Sequence, residues 1–183
     1  MSIYTKNEKL YINISNEALD DFRGFIKIAV RDNSFNTLYA SEHSAEVSSL
    51  SAADIFSVSL SEYITAHEKE RFVCVSLFNS DGERLSSETM IFTKPKYYSY
   101  CNPNITYSVN RRGEYTILTV RSDKYAKSVC IDFTGHDFIL SDNFFDIASH
   151  EPVEIYLKAD IEPQELLGGI TLRSMYDLAA KTD

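Results

Sequence analysis

The sequence predicts an all-β protein made of two consecutive immunoglobulin-like antiparallel β-sandwiches. Short runs of residues alternate between apolar and polar side chains, which is the pattern of a strand with one buried face. Turn-forming residues separate these runs, and no helical period of useful length interrupts them. The 183 residues divide into two modules of about 90 residues each, so we predict one domain at 1–95 and a second at 96–183.

In the first domain, alternation such as Leu10, Ile12 and Ile14 marks the strands. Asp81-Gly82 is the strongest hairpin signal, because this pair accepts the positive φ angles of a tight turn. The run from Arg71 is almost continuously apolar, as expected of a central strand. The predicted strands are 10–14, 26–30, 37–47, 55–60, 71–78 and 85–93, a pattern typical of an immunoglobulin-like sandwich.

A proline-bounded, tyrosine-rich linker, 94–103, separates the two domains. In the second domain, Asn110-Arg111-Arg112-Gly113 forms a turn, and Gly168-Gly169 precedes the closing strand. His136 belongs to a bend, and 177–183 form a loose or helical tail. The predicted strands are 105–109, 115–120, 129–133, 139–140, 152–157 and 170–176.

Composition excludes several classes of function. The net charge of −9 is shared by both halves, at −5 for 1–94 and −4 for 95–183, so no basic surface favours nucleic acid. No apolar run has the length of a membrane span, and the N-terminal residues lack a secretory signal. We therefore predict no membrane partner and a cytoplasmic location.

The reactive side chains indicate neither a cofactor nor a catalytic site. The cysteines are odd in number and lack a Cys-x-x-Cys motif, so we predict Cys74 and Cys130 to be small buried residues of strands. No Gly-x-Ser-x-Gly or phosphate-binding glycine loop occurs. The histidines lack metal-ligand spacing and are predicted at the surface; they are His43, His67, His136 and His150.

A strand, a corner and a second strand are predicted around Ser141 to Ile147. Asp142 and Asn143 are expected to turn the backbone by bonding nearby N–H groups. The apolar side chains that follow, Phe144, Phe145 and Ile147, are expected to anchor the corner in the core. Asp142 and Asp146 lack the spacing of a calcium loop, so we predict capping of backbone groups in preference to metal binding.

The segment Ser141-Asp142-Asn143-Phe144-Phe145-Asp146, just before a strand, resembles the last immunoglobulin-like domain of β-mannosidases in glycoside hydrolase family 2. Phe92-Thr93-Lys94-Pro95 resembles the exit of the preceding sandwich in the same enzymes. The resemblance implies that the chain is a C-terminal fragment of a glycosidase, inactive alone, with the catalytic barrel as its intramolecular partner. The two catalytic glutamates would lie in that barrel, so no catalytic residue is carried over to this chain.

Three linker tyrosines allow two interpretations. Aromatic faces stack on sugar rings, so Tyr97, Tyr98 and Tyr100 are candidate carbohydrate contacts. Packing between the two sandwiches, with the hydroxyls at the rim, is the interpretation we favour. The alternative to an enzyme's accessory region is a free-standing carbohydrate-binding or protein-interaction module.

Overall fold

A computed structural model describes residues 1–135, 137–157, 166 and 168–179. The chain divides into two compact units, Met1–Ser99 and Tyr100–Asp183. This division lies four residues after the predicted boundary at 95. The predictions for His136 and for the end of the tail, 180–183, lie outside the described residues.

Residues 1–99, all of which the structure describes, form seven antiparallel strands in two sheets. One sheet has the order β1-β2-β5, and the other has the order β4-β3-β6-β7. A short helix, α1 (Ser61–Ile64), follows β5. The strands are β1 (Ser2–Lys6), β2 (Lys9–Asn16), β3 (Phe22–Asp32), β4 (Thr37–Val47), β5 (Ser51–Ser59), β6 (Arg71–Asn79) and β7 (Arg84–Ile91).

The alternating residues of the sequence form the core of this unit. Leu10, Ile12 and Ile14 on β2 are at most 3% exposed and belong to one buried cluster with residues of the other sheet. Burying each such side chain stabilises the fold by about 1.5–3 kcal/mol. The partners from the other sheet include Ile26, Ile28, Val30, Val73 and Val75.

Strand β1 was not among the predicted strands. It pairs with β2 from Ser2↔Asn13 to Lys6↔Lys9 through a two-residue turn. Asn7 and Glu8 in that turn have φ angles of 50° and 60°, as a tight hairpin with positive φ at both positions requires. Asn accepts this conformation readily, whereas Glu is unusual there, so the local sequence carries only half of the usual signal.

In the described part of residues 100–179, six strands form two antiparallel sheets of three. Their orders are β12-β9-β8 and β11-β10-β13. The closing helix, α2 (Met175–Ala179), follows the last strand. The strands are β8 (Thr106–Arg112), β9 (Tyr115–Arg121), β10 (Ala126–Phe133), β11 (Phe145–Ile147), β12 (Val153–Leu157) and β13 (Ile170–Arg173).

Two predicted strand segments of this unit are wrong. Ile139 is 92% exposed, and Leu140 makes only an isolated bridge to Leu157, so 139–140 is not a regular strand. The closing strand ends at Arg173 because Ser174 and Asp177 start a helix. The Asp177 carboxylate accepts from the Ser174 N–H at 2.7 Å, the reciprocal bond of a capping box.

All three cysteines are half-buried. Cys74 lies in β6 and Cys130 in β10, as predicted, but neither is fully buried. The Cys74 Sγ lies 3.5 Å from the Ser87 Oγ on the neighbouring strand β7. Across the described residues, no helix is both long and apolar enough to cross a membrane.

Candidate functional site

The corner at Ser141 is tied to strand β12 by its own hydrogen bonds. The Ser141 Oγ accepts from the Tyr156 N–H at 2.9 Å, and the Ser141 N–H donates to the Tyr156 carbonyl at 2.8 Å. Asn143 makes an equivalent pair with β10. Its Oδ1 accepts from the Ile131 N–H at 2.8 Å, and its Nδ2 donates to the Ile131 carbonyl at 3.1 Å. The Asn143 amide thus makes the two hydrogen bonds with Ile131 that the backbone of a neighbouring strand would otherwise make.

Asp146 stabilises an irregularity in the adjacent strand. The pairing of β10 with β11 shifts register between Ala126 and Val129, and Ser128 within this bulge has a φ of 52°. The Asp146 Oδ1 accepts from the Ser128 N–H at 2.7 Å, while its Oδ2 lies 2.9 Å from the Lys127 Nζ. Without the Asp146 carboxylate, the Ser128 N–H and the Lys127 ammonium would both lack this partner in a half-buried environment.

Two of the other corner residues, Phe144 and Asp142, differ from the prediction. Phe144 is 66% exposed because its φ of 63° turns the side chain away from the core, so the prediction that it anchors the corner is wrong. Phe145 and Ile147 are buried. Asp142 is exposed, and its carboxylate makes no hydrogen bond within the described ranges. No group of three or more His, Cys, Asp or Glu side chains in those ranges could hold a metal.

The linker tyrosines have three different environments. Tyr98 is 4% exposed, and its hydroxyl donates to the Asn33 Oδ1 at 2.8 Å, so its ring has no free face for a sugar. Asn33 in turn donates to the Ser99 carbonyl at 2.8 Å. Tyr97 is 54% exposed, with the Lys96 ammonium 4.7 Å from its ring centroid. Tyr98 therefore offers no stacking surface beside Tyr97.

Tyr100 is half-buried. Burial raises the pKa of its phenol to about 12, and the negative charge of Asp146 adds to the effect. Both causes disfavour the tyrosinate, so the native state holds Tyr100 neutral at a pH where an unfolded chain would ionise it.

Alkaline pH is expected to destabilise the fold through Tyr100. Because the native pKa is raised from 10.0, the neutral phenol's contribution is complete below pH 10 and is lost as the pH rises to about 12. Tyr100→Phe should make unfolding by urea less dependent on pH across this window. Tyr97→Phe is the control, and an equal loss of stability in wild type and Tyr100→Phe would contradict the prediction.

The outer face of the three-stranded sheet in the first unit carries a second polar and aromatic cluster. Tyr4 and Tyr11 lie opposite each other on β1 and β2, with ring centroids 5.3 Å apart and planes 11° apart. The Asp54 carboxylate on β5 accepts from the Tyr4 hydroxyl at 2.6 Å and from the Asn13 Nδ2 at 2.9 Å. We call Tyr4, Tyr11, Asn13 and Asp54 the tyrosine–aspartate face.

A bulge sets the geometry of this face. The register between β2 and β5 shifts between Ile12 and Asn13, which brings Asn13 opposite Asp54. The hydrogen bond from Tyr4 is the largest cause lowering the pKa of Asp54, followed by that from Asn13, and the same bond raises the pKa of Tyr4. Asp54 is therefore an anion held between two donors at neutral pH.

The β12-β9-β8 sheet of the second unit carries a related cluster with a different charge balance. The Arg112 guanidinium donates to both oxygens of Glu154, at 3.3 and 3.2 Å. The Tyr156 hydroxyl also donates to Glu154, at 2.6 Å, and the ring of Tyr115 lies edge-on to that of Tyr156. Here an arginine neutralises the carboxylate and uses both of its oxygens.

Two protein-family models match consecutive parts of the chain, one within each structural unit. Residues 8–97 match the mannosidase Ig/CBM-like domain, and residues 100–178 match the Ig-fold domain of the mannosidase family. A search of curated protein sequences gave no significant match.

Solved structures share the fold across both units. A β-D-mannosidase from Dictyoglomus thermophilum is 22% identical with a TM-score of 0.82, over 94% of this chain and 21% of that chain. An exo-chitosanase from Amycolatopsis orientalis is 11% identical with a TM-score of 0.63, over 94% of this chain and 25% of that chain. The chain thus spans about a fifth to a quarter of the length of these enzymes.

These matches confirm the predicted pair of immunoglobulin-like sandwiches and the predicted resemblance to the immunoglobulin-like domains of mannosidase-like enzymes. The chain belongs to the immunoglobulin-like domains of mannosidase-like enzymes, with a mannosidase Ig/CBM-like domain followed by an Ig-fold domain.

Proposed function

We propose that the chain is the non-catalytic C-terminal accessory region of a β-mannosidase-like glycoside hydrolase. The complete enzyme would hydrolyse terminal β-D-mannosyl or related β-glycosidic bonds. The observation that carries the proposal is the order of the two family matches. In addition, the structural alignment with the Dictyoglomus thermophilum β-D-mannosidase includes 94% of this chain but only 21% of that enzyme. Three cysteines at wide spacings, without a Cys-x-x-Cys motif, suit a reducing compartment, so we also propose a cytoplasmic location.

The carboxylates described above have partners within their own sheets. Asp54, Asp146 and Glu154 are each held by a tyrosine, lysine or arginine on another strand. A retaining glycosidase uses two carboxylates about 5–5.5 Å apart, one acting as nucleophile and the other as acid and base. We assign the catalytic carboxylates to the barrel of the complete enzyme, and we assign to this chain the role of packing against that barrel and stabilising it.

A free-standing carbohydrate-binding or protein-interaction module remains the alternative. Its predicted sugar contact at Tyr97, Tyr98 and Tyr100 is weakened by the burial of Tyr98 in the first unit. For this reason we prefer the accessory role.

Removing the chain from the complete enzyme tests this role. We expect the truncated enzyme to unfold at a lower temperature, because a packed domain interface is lost, and the isolated 183-residue chain to leave p-nitrophenyl β-D-mannoside intact. The intact enzyme, which should hydrolyse this substrate, is the control. Hydrolysis by the isolated chain, or unchanged thermal stability and kcat/KM after truncation, would contradict the proposal.

A further inference from the structure

We propose that the tyrosine–aspartate face of the first unit binds a neutral oligosaccharide of β-linked hexopyranose units. The face lies on the outer side of the β1-β2-β5 sheet, where Tyr4 and Asp54 are exposed and Tyr11 and Asn13 are half-buried. The choice of β-linked sugars rests on the proposed function, whereas the choice of surface rests on the contacts described above.

Tyr4 and Tyr11 stack on each other, with planes 11° from parallel, so each ring covers part of the other. Tyr4 keeps 37% of its surface exposed, and this exposed part of its ring is the aromatic surface offered to a ligand. The negative face of an aromatic ring attracts the C–H groups on the apolar side of a pyranose. The bond from the Tyr4 hydroxyl to Asp54 fixes this ring before any ligand arrives, which reduces the entropy lost on binding.

The hydrogen-bonding groups that remain on the face complement adjacent sugar hydroxyls. The Asp54 oxygens accept one bond each, from Tyr4 and from Asn13, and each oxygen of a carboxylate has a second lone pair. Two neighbouring hydroxyls of one ring donate to these two positions. The Asn13 amide has a second N–H, which supplies a donor for a sugar oxygen.

Hydrogen bonding, and not charge, is what the face offers a neutral sugar. Lys6 is the last of the groups that lower the pKa of Asp54, after the hydrogen bonds from Tyr4 and Asn13. The open acceptor and donor positions of the face are satisfied by uncharged hydroxyls. The Glu154 cluster of the second unit differs because Arg112 and Tyr156 use its oxygens, so it serves as a comparison surface.

Calorimetric titration of the whole 183-residue chain with β-1,4-linked mannotetraose tests the proposal. We expect saturable binding at one site, weakened about tenfold or more by Tyr4→Ala or Asp54→Asn, since each removes a contact to the ligand. Tyr115→Ala is the matched control, because the exposed fraction of Tyr115, 41%, is similar to the 37% of Tyr4. This variant should bind the sugar as wild type does. Thermal unfolding of each variant establishes that it is folded.

Four results would overturn the proposal. They are no binding at millimolar sugar, equal weakening by Tyr115→Ala, binding of glucosamine oligomers only, and a dimer of the chain that Tyr4→Ala dissociates. Failure here is distinguishable from failure of the proposed function. If the native protein is a long enzyme and this chain binds no sugar, the accessory role stands and only the sugar site is refuted. If the native protein is this chain alone and it binds sugar, only the accessory role is refuted.

Discussion

Gly24→Ala is expected to destabilise the first unit by about 3 kcal/mol, since overpacking a closely fitted position forces the backbone to shift. Gly24 lies near the start of the inner strand β3 and pairs with Ala45 on β4 and Asn79 on β6. A Cβ at this position would lie 2.0 Å from the Phe78 carbonyl oxygen and 2.8 Å from the ring of Phe22. The phenyl ring can move, but the carbonyl belongs to the neighbouring strand.

Hydrogen exchange by mass spectrometry, combined with denaturant unfolding, measures this effect unit by unit. Peptides of β3 and β6 should lose protection in Gly24→Ala, while peptides of the second unit keep theirs. Gly168→Ala is the control, because a Cβ there meets nothing within 4 Å, and its effect should stay within about 0.5 kcal/mol. Equal stability of Gly24→Ala and the control would show that the sheet has room for a methyl group.

Asn143→Ala is expected to destabilise the second unit by about 2–3 kcal/mol, because it leaves a donor and an acceptor without partners. Ile131 is 3% exposed, so water cannot replace the two bonds that its N–H and carbonyl make with the Asn143 amide without opening the structure. The corner should then detach from β10, and Phe145 should lose its fixed position beside it.

Asp142→Ala is the matched control for this corner. Asp142 is adjacent in sequence but exposed, so its replacement should change the free energy of unfolding by no more than about 0.5 kcal/mol. Exchange protection in β10 and β11 should fall in Asn143→Ala and remain in Asp142→Ala. If both variants matched wild type, the Asn143 amide would not hold the corner.

The strands that the sequence predicts well have either a clear period of two or a continuous apolar run, together with a core to face. β2 and β3 alternate and β6 is almost continuously apolar. Gly82 adopts the predicted positive φ, at 82°, in the Asp81-Gly82 turn. Strand β1 was missed, and the start of helix α2 was assigned to the closing strand 170–176, because their signals are local and weak, an Asn-Glu turn and a Ser174–Asp177 capping box. Phe144 was misassigned because apolar character alone does not reveal a positive φ.

The tyrosine–aspartate face was beyond local sequence reasoning. Tyr11 and Asn13 are visible as the polar side of a predicted strand, but Tyr4 and Asp54 are 50 residues apart. Their contact depends on the hairpin that creates β1 and on the bulge that brings Asn13 opposite Asp54. Register across three strands is a tertiary property, so only the assembled sheet reveals the cluster.

The most direct test of the accessory role is the mass of the native polypeptide that contains this chain. An antibody raised against the 20.8 kDa chain, used on extracts of the source cells, should detect a polypeptide several times larger. Peptide sequencing of that band should find upstream residues that alternate strands and helices, as in a barrel. A native band at 20.8 kDa, without an upstream catalytic domain, would contradict the account and make the chain a free-standing module.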